Sequence, residues 1–200
     1  MPSTSARPSE GSRTMSAVAH ASAVAQSGAQ STVKRVITPE GDAKEASEGD
    51  AVTLVLEDEI DIARGDVLVD PKARPEVSSQ LSAHVLWMAD QELIPGRSYL
   101  MKLGAQTVPV TVTQLEHKID VNTFEQQAGR TLTLNEIALC HLETARPIAF
   151  DPYRESRDMG GFIVIDRYSF QTVGAGMVDH SLRRASNIHT HKHEVTKSQR

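Results

Sequence analysis

Aromatic side chains make up only 4% of this 200-residue chain. Any core must therefore be built from Val, Leu, Ile and Ala. There is one cysteine, Cys140, which excludes an internal disulfide and fits a reducing cytosol. The longest largely apolar run, Ala51 to Leu56, is far too short for a membrane-spanning helix. Basic residues are not in excess. The formal net charge is -5, which leaves a nucleic-acid role without electrostatic support. No Gly-Lys pair occurs, so the G-x-x-x-x-G-K-[ST] loop that cradles nucleotide phosphates is absent from these residues. No Asn-Lys pair offers guanine recognition either. What remains, 39% hydrophobic and 24% charged, suits a soluble globular protein of one ordinary or two small domains.

Residues 1–31 are rich in Ser, Ala, Thr and Gly, carry Arg7 and Arg13 against Glu10, and contain no secretory hydrophobic region. Such a start resembles an organelle transit peptide in composition. It is read here as a disordered, unrelated segment, because it offers too little apolar surface to fold.

From Thr32 the pattern changes to strands and turns. Val33, Arg35 and Ile37 alternate with Lys34, Val36 and Thr38, and Pro39-Glu40-Gly41-Asp42 is a turn. Glu48-Gly49-Asp50 is a second turn, before a β-branched strand from Ala51 to Leu56. Arg64-Gly65-Asp66 turns into Val67-Leu68-Val69, and Asp70 to Pro75, with two prolines, reads as a linker. A second block opens near Ser78, with a strand from Ser82 to Met88 and a turn at Pro95-Gly96. Tyr99, Met101 and Leu103 alternate with more polar neighbours. Val108, Val110 and Val112 form the cleanest period-two run, and Pro109 places that strand at an edge or bulge. Ile119 to Phe124 is a short strand or turn. Leu132 to Leu142, Phe162 to Ile165 and Val173 to Val178 complete the series. Many short strands with turns between them predict antiparallel barrels rather than a βαβ sheet. Residues 179–200 turn polar and are expected to be a flexible tail or linker.

Several spaced segments carry a family resemblance. They are Thr53 to Asp66, Trp87-Met88-Ala89-Asp90, Pro95-Gly96, His117 to Thr123, Gly160 to Arg167, and Thr172 to Val178. Together they resemble the GTP-binding large subunit of sulfate adenylyltransferase, a branch of the translation-factor GTPases. The run Ser181 to His189 is similar to the junction that precedes a fused adenylylsulfate kinase. The resemblance implies a mostly β fold: part of a domain II barrel at residues 32–73 and a domain III barrel at 78–178, with disordered tails. It implies a cytoplasmic scaffold that docks a catalytic small subunit. The whole complex would convert ATP and sulfate to adenylyl sulfate and pyrophosphate. GTP and ATP would belong to a G domain and to the small subunit, so no cofactor is assigned to this chain, and neither nucleic acid nor membrane is an expected partner. A half barrel also implies unpaired strand edges, which proteins normally cover. The alternative is a stand-alone β-barrel interaction module or a gene relic without enzymatic activity.

Asp158-Met159-Gly160-Gly161 matches D-x-x-G by letters but precedes a strand, and is read as a turn. Glu57, Asp58, Glu59 and Asp61 have the residue types of a metal or paired-carboxylate site. Adjacent carboxylates in a turn ordinarily face water, and catalysis would need a cleft that perturbs a pKa. With Arg64, Gly65 and Asp66 they are carried forward as a docking or structural motif. Gly174-Ala175-Gly176 lacks the third glycine and the helix of a dinucleotide loop, so Gly174 and Gly176 are expected at a bulge or close backbone approach. Asp166 and Arg167 are expected to fix a turn or line an interface. His189, His191 and His193 share a face if extended, as chelating residues do, but a polar tail gives them no orienting neighbours. Cys140 and His141, adjacent on a strand, point to opposite faces, so Cys140 is a buried hydrophobe rather than a nucleophile. No catalytic, cofactor or metal residue is assigned.

Overall fold

A computed structural model describes residues 14–16, 21–47, 49–120, 123 and 125–182. Arg7, Glu10, Arg13, Glu48, Val121, Asn122, Phe124 and the three tail histidines lie outside the described residues. The chain divides into two compact units, Met1–Arg74 and Pro75–Arg200. The division falls inside the two-proline stretch.

The first unit contains β1 (Thr14–Ser16), β2 (Ala21–Val24), β3 (Gln30–Thr38), β4 (Gly41–Ala43), β5 (Glu45–Ser47), β6 (Thr53–Leu56) and β7 (Leu68–Val69). β1 pairs with β5 as a separate ribbon, and β4, β3, β2 and β7 are neighbours in one sheet. β6 pairs with β3 and, among the described residues, with no other strand. The buried apolar residues here are few and small: Ala23, Val24, Ala25, Val33 and Val36.

β2 corrects the expectation that residues 1–31 stay unfolded. Ala23 and Val24 are fully buried, and Ala21 to Ala23 pair with Gln30 to Thr32. The hairpin closes through Ser27-Gly28, where Gly28 takes a φ of 77° that only glycine adopts freely. Val24 N–H donates to Ala29 O at 2.8 Å, and Gly28 N–H to Val24 O at 2.8 Å. Small residues bury too little surface to mark a strand by hydropathy, yet they suffice beside a long neighbour.

The second unit contains β8 (Glu76–Trp87), β9 (Ser98–Leu103), β10 (Gln106–Ile119), β11 (Gln126–Gln127), β12 (Ile137–Phe150), α1 (Arg157–Gly160), β13 (Gly161–Ile165) and β14 (Thr172–Ser181). The order β10-β12-β8-β14-β13-β9 closes because β9 also pairs with β10, giving a six-stranded antiparallel barrel. Closure removes the edges that make isolated sheets prone to association. The interior follows from period two. Leu81, Ala83, Val85 and Trp87 of β8 point in, as do Tyr99, Met101 and Leu103 of β9 and Val108, Val110 and Val112 of β10. After Val112 the next buried residue of β10 is Leu115, three positions on, and the register with β12 slips between Val112 and Gln114. The extra residue is a bulge that keeps the apolar side facing the core.

Pro109 pairs with Leu100 of β9, while the ladder to β12 starts only at Val110. The proline thus sits where β10 has one strand neighbour, which a residue without an N–H tolerates. β12 starts later than the apolar run suggested. Leu132 makes an isolated bridge to Leu93, and Asn135, at a φ of 65°, turns the chain before Ile137. Asp158 to Gly160 fall in the short helical turn α1, Arg157–Gly160, whose start is capped by Ser156. A Cβ on Gly160 would lie 2.5 Å from the Tyr153 backbone. Packing alone therefore requires a glycine here.

Candidate functional site

The ends of β8, β14, β13 and β9 meet at one mouth of the barrel and border a cleft of about 580 Å3. Its floor is Trp87 and Tyr99, both buried, in edge-to-face contact with ring centroids 5.5 Å apart. Trp87 Nε1–H donates to Gln91 O at 2.6 Å, which fastens the following loop back over the barrel. The Tyr99 hydroxyl is buried near the Ile94 backbone without a well-formed hydrogen bond, and this burial raises its pKa.

Arg97 lies over the Tyr99 ring, 5.5 Å from the centroid. Its Nη2 donates to Asp166 Oδ2 at 2.7 Å. The other oxygen of Asp166 accepts from Tyr168 N–H and Ser169 N–H, each at 2.9 Å, and from Ser169 Oγ at 3.2 Å. Those backbone donors, with Arg97 as a smaller contribution, hold the carboxyl below the usual aspartate range. Asp166 is only 8% exposed, and both of its oxygens are occupied, so its task is structural. It shapes the β13–β14 turn. Arg167 points along the neighbouring strand, where its Nη1 donates to Ser98 Oγ at 3.2 Å.

The turn that Asp166 builds presents Tyr168, 85% exposed, and Phe170, 73% exposed. Phe170 has a φ of 56°, an uncommon conformation for a bulky residue. It is held by Phe170 N–H donating to Asp166 O at 3.0 Å and Asp166 N–H donating to Gln171 O at 2.9 Å. Tyr168, Ser169 and Gln171 line one wall of the cleft; Met88, Asp90 and Glu92 line another.

Gly174 and Gly176 occupy β14. A Cβ on Gly176 would fall 2.2 Å from Phe162 Cζ, and one on Gly174 would meet Leu86 O at 2.9 Å and the Trp87 ring at 3.3 Å. Both positions are close approaches. The register between β13 and β14 shifts beside Gly174, so the glycines seat the core rings under the cleft.

The acidic motif lies in the first unit and forms a loop tied to Ser31, to Gln26 and to its own backbone. Asp58 Oδ2 accepts from Ser31 Oγ at 3.0 Å, and Ser31 Oγ accepts from Asp58 N–H at 3.0 Å. Asp66 Oδ2 accepts from Ala63 N–H at 2.8 Å, and Gly65 O accepts from Gln26 Nε2 at 3.2 Å. Gly65 has a φ of 99°. Glu57, Glu59, Asp61 and Arg64 are exposed. Among the described residues no three His, Cys, Asp or Glu side chains converge as a metal site, and no helix is long and apolar enough to cross a membrane.

Asp166 and Arg167 are thus the sequence-selected residues that the fold brings to the cleft region. Arg97, Tyr99, Tyr168 and Phe170 were not selected. Arg97 follows the Pro95-Gly96 turn directly, but its partner is 69 residues away, a separation that no local pattern spans.

The closed six-stranded barrel of the second unit, with the sheet of the first, defines a translation-factor-like β fold. Two solved structures of Sup35, one with GDP and one with GMPPNP, superpose with TM-scores of 0.76 and 0.75 at 20% and 21% identity. Each covers 85% of this chain and 42% of the Sup35 chain. Residues 80–179 match the family described as GTP-eEF1A C-terminal domain-like, and the chain belongs to that family. Its relatives include bifunctional enzymes and a sulfate adenylyltransferase subunit. The bifunctional enzyme NodQ of Azospirillum brasilense is 50% identical over 174 residues, 87% of this chain and 28% of that protein. The bifunctional enzyme CysN/CysC of Xylella fastidiosa is 49% identical over 83% of this chain and 27% of its own length. Sulfate adenylyltransferase subunit 1 of Aeromonas hydrophila is 47% identical over 156 residues, 78% of this chain and 33% of that subunit. The chain therefore spans about a third or less of these relatives.

Proposed function

We propose that these residues act in sulfate activation as the barrel region of a sulfate adenylyltransferase large subunit. In this reading they scaffold the complex and dock its catalytic small subunit in the cytoplasm, and the complex converts ATP and sulfate to adenylyl sulfate and pyrophosphate. The observation that supports it is the relationship to subunit 1, which runs over 156 residues and so extends beyond either unit alone. Chemistry is assigned elsewhere. These residues carry no phosphate loop, Asp166 is saturated by structural contacts, and Asp58 and Asp66 of the acidic loop are engaged by Ser31 Oγ and the Ala63 N–H. GTP would be held by a G domain and ATP by the small subunit.

The test is co-purification of this chain with a catalytic small subunit, with GTP hydrolysis and adenylyl sulfate formation assayed on the chain alone. A stable one-to-one complex and no turnover are expected. Measurable GTP turnover by the pure chain would overturn the assignment of chemistry to other parts. Absence of a complex from folded material would overturn docking, and favour a stand-alone module or relic.

A further inference from the structure

We propose that the Asp166–Gln171 turn and the adjoining cleft form the docking face for a basic segment of the partner protein, with Tyr168 and Phe170 as anchors and Asp90 and Glu92 as counter-charges. The inference rests on the docking reading for the identity of the partner. Its chemistry comes from the face itself.

Three observations carry it. First, two large aromatic side chains, Tyr168 and Phe170, stand in solvent two positions apart, and Tyr168 shares the cleft lining with Met88, which is 47% exposed. Tyr, Phe, Met and Arg are the residue types that interface cores favour over the rest of a surface. Second, the turn is fixed before any partner arrives. The Asp166 carboxylate, two backbone bonds across the turn and Arg97 determine it so fully that Phe170 is kept at a positive φ. Anchors already held in place lose less freedom on binding, and backbone strain kept in one segment points to use of that segment.

Third, the cleft lining carries more free acid than free base; the exposed Arg167 of the turn donates to Ser98 Oγ and does not line the cleft. Asp166 neutralises Arg97. Asp90 and Glu92 are exposed on the cleft lip, and no ion pair engages either among the described residues. A nucleotide is disfavoured here, because its phosphates would meet two free carboxylates and the one lining guanidinium is already paired. A Lys or Arg side chain satisfies both features: its charge meets Asp90 and Glu92, and its aliphatic stem lies along Met88 and Tyr168.

The experiment compares small-subunit binding by the full chain, by Tyr168→Ala/Phe170→Ala and by Asp90→Asn/Glu92→Gln. Trp87 is the only tryptophan, so its single indole N–H resonance reports both folding of the barrel and occupation of the cleft. The aromatic double variant should keep a folded indole signal and bind at least about thirtyfold more weakly, as central interface anchors do. The amide double variant should bind more slowly and lose most of the salt dependence. Variants that bind like the unaltered chain would overturn the inference and leave the docking reading intact. If the unaltered chain itself fails to bind the small subunit, the docking reading fails. The face is then judged with the peptide acetyl-Leu-Arg-Phe-Arg-amide against its glutamate counterpart. A shift of the Trp87 resonance by the arginine peptide alone supports a basic-segment site for another partner, and no shift overturns it.

Discussion

Arg97 Nη2 and Asp166 Oδ2 lie 2.7 Å apart and join β9 to the turn after β13 across 69 residues of sequence. The contact has a pH signature. Tyr168 and Ser169 N–H groups, and then Arg97, favour the charged carboxylate and lower its pKa in the folded state. A depressed pKa stabilises the fold above the ordinary aspartate value of about 3.9, and that stability is lost as pH falls through the folded value. Asp166→Asn keeps the shape but not the charge. Its melting temperature should lie below that of the unaltered chain at pH 7, and the gap should close as pH falls below about 4. A gap independent of pH would show that the charge of Asp166 contributes nothing.

The Tyr99 hydroxyl gives a prediction of opposite sign. It is buried without a well-formed partner, so removing it abolishes a desolvation cost and leaves the ring stack with Trp87 in place. Tyr99→Phe should be neutral or more stable by up to about 1 kcal/mol in urea unfolding. A loss larger than that would reveal a hydrogen bond the hydroxyl depends on.

Gly176 is the tightest of the β14 glycines. Gly176→Ala places a methyl group against the Phe162 ring and should cost about 1–3 kcal/mol through overpacking. Phe162→Leu vacates part of that space. The double variant should recover some of the loss, with a coupling of about 0.5–3 kcal/mol in a double-mutant cycle. Strict additivity would mean that the strain is relieved elsewhere.

Cys140 is wholly buried in β12, and burial pushes its thiol pKa up to about 12. The thiolate is the reactive form. The folded chain should therefore resist thiol reagents at pH 8 and react fully once unfolded by urea. Rapid labelling of native protein would contradict the closed barrel. Cys140→Ser, which buries a hydroxyl in an apolar layer, should be about 1–3 kcal/mol less stable.

The second unit was legible because its core obeys one rule. Alternation at Tyr99-Met101-Leu103 and Val108-Val110-Val112 names the interior of two strands directly, and few other arrangements bury both. β2 was missed because Ala21 to Ala25 are small side chains inside a Ser/Ala-rich stretch, too small to mark a strand, and their burial comes from a partner strand. The cleft was half visible. Asp166 and Arg167 stood out as charges after an apolar strand, whereas Arg97 needed its distant partner to acquire meaning. Tyr168 and Phe170 gave no signal, since an aromatic in a turn reads the same whether it will be covered or left in water. The glycines of β14 were placed by chemistry: a β-strand glycine without a helix behind it marks close packing.

The two units should also differ in how they open. The barrel is closed and carries a continuous core from Leu81 to Val178. Among the described residues, the first unit buries only Ala23, Val24, Ala25, Val33 and Val36 of its apolar side chains, and β6 has a single strand neighbour. A small core and an open edge lower the free energy of local opening, while a closed ladder opens only with its whole barrel. Amide exchange at Leu54–Leu56 should therefore run at least about a hundredfold faster than at Ala83–Val85. Adding the small subunit should not slow β6 if docking is confined to the Tyr168–Phe170 face. Slowing of β6 together with the barrel mouth would instead make the open edge part of the bound surface. Equal protection of β6 and β8 in the free chain would show that the edge is already covered.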